Sequence, residues 1–131
     1  MQSFILNLHQ AMVWVILAVA GITLICGIVL FFLARNNAAS LGNVQRIFRI
    51  LLSITAALGV LQAIFGGLLF LQGGRPGEGL HYVYGLIVLG AIPVAYVYSD
   101  QKQVRRDIII MVIAVVAVIG AAIRALATGA P

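Results

Sequence analysis

The chain has 131 residues, of which 63% are hydrophobic and 8% charged, with eight Lys and Arg against three Asp and Glu. Soluble domains carry about 25% charge and about 45–50% apolar residues, so this chain cannot cover a soluble surface, and the same balance excludes disorder. What remains is one integral membrane domain over residues 1–131, with room for at most about four or five spans of roughly 20 residues.

The first apolar run extends from about Phe4 to Ala34. It lacks a charged leader and is too long for a signal-peptide core, so it is expected as an uncleaved span. Further spans are expected over about 47–71, 80–98 and 108–126. Lipid offers the backbone no hydrogen bonds, and the alternation of barrel strands is absent, so each span is predicted helical. The fold class is therefore all-α, an antiparallel four-helix transmembrane bundle. Small residues recur four apart, at Gly59, Ala63 and Gly67 and at Ala117, Ala121 and Ala125, as helices that pack closely require. Pro93 is expected to kink the third span.

Six of the eight basic residues (Arg35, Arg46, Arg49, Lys102, Arg105 and Arg106) fall in or beside the first and third connections. The positive-inside rule places loops 35–46 and 99–107 in the cytoplasm and both termini outside, in a prokaryotic plasma (inner) membrane. Arg75 and Arg124 are then on the outer side. The cations form no single patch, so a nucleic-acid partner is not expected. Asp107, Arg105 and Arg106 read as a solvated edge, and Trp14, Tyr82, Tyr84, Tyr96 and Tyr98 as interface anchors. Gln62 lies at mid-span, where it can bond across helices or touch a cofactor. The single cysteine, Cys26, permits no internal disulfide.

Leu8-His9 opens span one and Leu80-His81 opens span three. Gly66-Gly67-Leu68-Leu69 ends span two and Gly120-Ala121-Ala122-Ile123 ends span four. This weak repeat implies two duplicated helical hairpins, with both histidines in the outer leaflet. Each can be an interfacial side chain, half wet and hydrogen-bonded. Together they suit the axial positions of a heme iron. Gly85, one turn after His81, leaves space for a flat macrocycle, and Arg75 and Arg124 could pair with its propionates. Zinc usually takes three or four protein ligands, and Glu78 is the only carboxylate or thiol at that end. Counted from the cytoplasmic edge, His9 lies seven residues farther along its span than His81. That is roughly 10 Å of helix, which tilt or protrusion of span one must absorb.

Gln62-Ala63-Ile64-Phe65-Gly66-Gly67-Leu68-Leu69, a short Gly/Pro loop and Leu80-His81 resemble the second-to-third helix segment of one half of the heme A synthase family. Leu8-His9 resembles its first ligand helix, and Gly120-Ala121-Ala122-Ile123-Arg124 with Thr128-Gly129 is similar to its Gly-Ala-x-x-Arg helix end. The resemblance spans nearly the whole chain through short, mostly apolar motifs. It implies a b-type heme held by His9 and His81, with electron transfer or heme carriage as the function. Departures weaken the enzymatic expectation. Leu6 stands where the family has Glu, Gln10 where Arg is frequent, and residues 73–79 hold no cysteine pair. A single four-helix unit needs a homodimer or a larger redox complex to supply the family's second heme site. The competing expectation is a cofactor-free accessory subunit of a respiratory or photosynthetic membrane complex; in either case the lipid bilayer is a partner.

Overall fold

A computed structural model describes residues 1–36, 41–100 and 102–129. Parts of the two expected cytoplasmic loops, residues 37–40 and Gln101, lie outside the described residues. Four helices follow in order: α1 Gln2–Arg35, α2 Leu41–Leu71, α3 Leu80–Val97 and α4 Val104–Gly129. No strand occurs among the described residues. All four helices are long and apolar enough to cross a membrane.

The helices close into a ring in which consecutive helices pack together and α1 packs on α4; the α2–α3 seam is the thinnest. A regular period builds it. The buried positions of α1 are Val13, Ile16, Ala20, Thr23, Gly27, Leu30 and Ala34, spaced alternately three and four apart. Phe48, Leu52, Thr55 and Gly59 keep the same alternation on α2. On α4 it runs through Asp107, Met111, Ala114, Val118, Ala121, Ala125 and Thr128. A repeat of 3.5 residues keeps one stripe facing its neighbours along the helix, as in left-handed bundles. The opposite faces are also apolar: Trp14 is 65% exposed, Leu86 67% and Ile113 63%. A helix apolar on all sides needs protein or lipid around it.

This alternation corrects the expected stripe of fours on α2. Gly59 is buried, but Ala63 and Gly67 face outward. Successive steps of four drift off a seam that alternates three and four. At Gly59 the helices approach so closely that a Cβ would lie 2.9 Å from the Val88 carbonyl oxygen of α3. Nothing stands within 4 Å of a Cβ at Gly67. On α4, Ala121 and Ala125 are buried and Ala117 half-buried. Pro93 lies within α3, which runs on through it to Val97.

Polar side chains tie the helices at two depths below the histidines. Thr23 and Thr55 meet 3.3 Å apart between α1 and α2, where one hydroxyl can donate to the other while that other donates to the carbonyl four residues before it. At the α3–α4 turn, Arg49 Nη2 donates to Asp107 Oδ2 over 2.7 Å, and Ser99 Oγ donates to Asp107 Oδ1. Asp107 is therefore no solvated edge: its side chain is only 5% exposed. The helices also outlast the apolar runs, so Arg46 lies on α2 and Arg105 and Arg106 on α4 rather than in the connections.

At the other end, α2 closes in a Schellman motif. Gly74 N donates to Leu69 O and Gly73 N to Phe70 O, with Gly73 at φ +86°. That left-handed conformation favours glycine. Arg75 Nη1 donates to Phe70 O and Gly74 O while its guanidinium lies 4.1 Å from the Phe70 ring centre.

Two substitution pairs test this packing. Gly59→Ala should destabilise the detergent-solubilised bundle by about 1–3 kcal/mol through overpacking. Gly67→Ala should stay within about 0.5 kcal/mol of the parent. Asp107→Ala strands a partly buried Arg49 and should cost about 1–3 kcal/mol, with Arg49→Met plus Asp107→Leu recovering part of it. Thermal or denaturant unfolding followed by circular dichroism measures all four.

Candidate functional site: two facing histidines

The core seam of α1 continues outward from Val13 by four residues to His9. On α3, His81 lies seven residues before buried Val88. The seam of α2 continues from Gly59 through Gln62 to Gly66 in steps of three and four. The same period that builds the core therefore carries both histidines and Gln62 towards the interior at one end of the bundle. Their ring centres lie 6.0 Å apart, with the planes at 61°. The seven-residue offset is absorbed by unequal lengths. At about 1.5 Å per residue, the 34 residues of α1 outreach the 18 of α3. The C-terminal end of α1 lies beside the start of α4.

Each imidazole is seated by the second helix of its own hairpin. Gln62 Nε2 donates to His9 O over 3.0 Å and lies 3.5 Å from His9 Nε2. Four residues on, a Cβ at Gly66 would come within 3.3 Å of His9 Cε1. In the second hairpin, His81 Nδ1 is 3.0 Å from Ala125 O. A carbonyl only accepts, so Nδ1 carries a proton, and in the neutral imidazole the lone pair is then on Nε2. Four residues after Ala125, a Cβ at Gly129 would come within 2.8 Å of His81 Cε1. The two half-sites thus share one plan: histidine, glycine across the hairpin, and a contact one turn before the glycine. The spatial counterpart of Gly66 is Gly129. Gly120, its partner in the expected repeat, has nothing within 4 Å of a Cβ.

Two buried polar atoms at this site, His9 Nδ1 and Gln62 Oε1, have no hydrogen-bond partner among the described residues. Groups of this kind are rare in a settled core and point to something further that satisfies them. Among the described residues, no three His, Cys, Asp or Glu side chains converge as a metal site. The donor set is two imidazoles, which suits a metal whose other ligands arrive with it. Metal–imidazole nitrogen bonds of about 2.0–2.1 Å, as for zinc, would separate two trans ring centres by about 6–6.5 Å. The observed 6.0 Å lies at the short end of that range, so the spacing alone is compatible with a metal held between the two rings.

The other expected site residues lie towards the same end of the bundle, and none of them touches either imidazole. Gly85 is exposed, and a Cβ there would meet nothing within 4 Å. Arg124 is exposed and its guanidinium lies 5.7 Å from the Tyr84 ring centre, on the residue preceding Ala125. Arg75 lies at the same end, folded back on Phe70. The connection before α3 is fastened to α4 by Glu78 N donating to Thr128 O. Gln62 bonds across helices, as its mid-span position suggested. The seating roles of Gly66 and Gly129 were missed, although Gly66 keeps the seam period. Comparison with family models, curated proteins and solved structures finds no match.

The seating can be checked without any ligand. In spectra of protein labelled only at histidine, Gly129→Ala should shift the His81 imidazole resonances, because its Cβ would collide with Cε1. Gly120→Ala should leave both histidines unchanged. Equal responses would contradict the packing.

Proposed function

We propose that this chain is a multi-pass membrane protein that holds one b-type heme between His9 and His81, resembling one four-helix half of the heme A synthase family. The supporting observation is the pair of facing imidazoles, each held by a different hairpin, beside unpartnered polar atoms. Held by these two residues, a heme would supply a one-electron couple tuned by its protein ligands and its burial. His81 donates through Nδ1 to Ala125 O, which fixes the ring and leaves Nε2 as the ligand atom. Gln62 holds α1 at the level of His9. Gly66 and Gly129 keep the space that the rings occupy. Arg124, and Arg75 on leaving Phe70, would neutralise the propionates, and Gly85 would leave the macrocycle edge uncovered.

With Leu6 at the position of the family's Glu, the activity in this reading is electron transfer or heme carriage rather than oxidation of a heme methyl group. The chain lies in the plasma (inner) membrane of a prokaryote, with loops 35–46 and 99–107 in the cytoplasm, both termini outside and the heme near the outer face. A homodimer or a larger redox complex provides the electron partner. A second reading, a cofactor-free subunit of a respiratory or photosynthetic complex, draws on the bonds that Gln62 and His81 already make within the chain.

A reduced-minus-oxidised absorption spectrum of protein purified from heme-replete cells separates the two. The heme reading expects sharp α and β bands at about one heme per chain, lost in His81→Ala and in His9→Ala. A featureless spectrum from the intact chain sinks it and leaves the subunit reading.

A further inference from the structure

The opposite end of the bundle carries a second feature, independent of the histidines. Where the end of α1 meets the starts of α2 and α4, a surface groove is lined by Phe31, Ala34, Leu41, Lys102, Arg105 and Arg106. Its lining combines apolar side chains with three cations. The nearby carboxylates are already engaged. Asp107 is buried against Arg49 and Ser99, and Asp100 Oδ1 accepts from the backbone N–H of Lys102. The ion pair found among the described residues is Arg49–Asp107, so none of the three cations has a carboxylate partner there. The neighbouring groove, with Arg46 and Arg49, has one of its two guanidiniums neutralised by that pair.

We infer that the groove lined by Phe31, Ala34, Leu41, Lys102, Arg105 and Arg106 is a binding site for an anionic phospholipid. Charge complementarity selects the headgroup: a phosphodiester accepts hydrogen bonds from guanidinium and ammonium donors. The apolar lining selects a lipid over a free anion, because an acyl chain can cover Phe31, Ala34 and Leu41 while the phosphate stays among the cations. The groove also lies at the end of four helices apolar enough to span a bilayer, where basic clusters between helices receive anionic headgroups.

The test presents delipidated protein with mixed micelles of equal phosphatidylglycerol and phosphatidylcholine and counts retained lipids by native mass spectrometry. The intact chain should retain phosphatidylglycerol in at least about fivefold excess. Each of Lys102→Gln, Arg105→Gln and Arg106→Gln should lower that excess by about fivefold, the effect of one cation near an anionic surface. The three single variants keep the test usable if a triple variant fails to fold. Arg106→Lys should retain most of the excess, and Arg46→Gln, in the neighbouring groove, should change it less than twofold. Equal retention of the two lipids by the intact chain overturns the proposal. So does an equal effect of Arg46→Gln, which would mean a diffuse charge effect, or displacement of the lipid by millimolar inorganic phosphate, which would mean a plain anion site.

Discussion

Inside a bundle whose helices are apolar on every side, buried polar groups have to find one another, and in this protein their pairings fix the register. Apolar packing alone discriminates poorly between neighbouring registers, because lipid chains are as apolar as the side chains they touch. Pairings at three depths remove that freedom. Arg49, Ser99 and Asp107 join α2, the end of α3 and α4 at one end. Thr23 and Thr55 join α1 and α2 in the middle. At the other end Gln62 bonds α2 to α1 at His9, His81 bonds α3 to α4 at Ala125, and the two imidazoles meet edge-on between the hairpins. Each bond is worth about 1 kcal/mol in such surroundings, but sliding any helix breaks several at once.

The same arrangement explains why the two histidines meet. Both lie in phase with the core stripe of their own helix, so the twist that buries Val13 and Val88 turns His9 and His81 inward as well. The two hairpins treat their histidines alike: the second helix brings a glycine against the ring edge and supplies a contact one turn before it. This is the physical content of the internal repeat, and it makes the facing pair a property of the fold rather than of one side chain. What the pairs differ in is satisfaction. His81 has a carbonyl for its Nδ1, whereas His9 Nδ1 and Gln62 Oε1 have no partner. That asymmetry is where a ligand would contribute most.

Much of this was legible in the residues. Four apolar runs and three short polar connections foretold four helices, because lipid leaves the backbone no alternative. The histidines at matching helix starts foretold one shared end. The errors came from direction. Asp107, flanked by Arg105 and Arg106, looks solvated, yet it begins the alternation that continues through Met111 and Ala114, and that period was the available signal. Gly59, Ala63 and Gly67 looked like one stripe because a spacing of four is conspicuous, whereas the seam leaves Gly59 for Gln62 and Gly66. Gly129 lies three residues past the expected end of span four, and no local pattern says that it faces His81. Such a contact depends on how two helices cross, which composition does not encode.

The central proposal is that His9 and His81 would together hold one heme iron. Electron paramagnetic resonance of the oxidised, heme-loaded protein tests it most directly, since two imidazoles enforce a low-spin ferric iron and one leaves it predominantly high-spin. The facing geometry predicts a low-spin signal for the intact chain and a high-spin signal, or loss of heme, in His9→Ala and in His81→Ala. A high-spin signal from the intact chain, or a low-spin signal that survives either substitution, would contradict the claim.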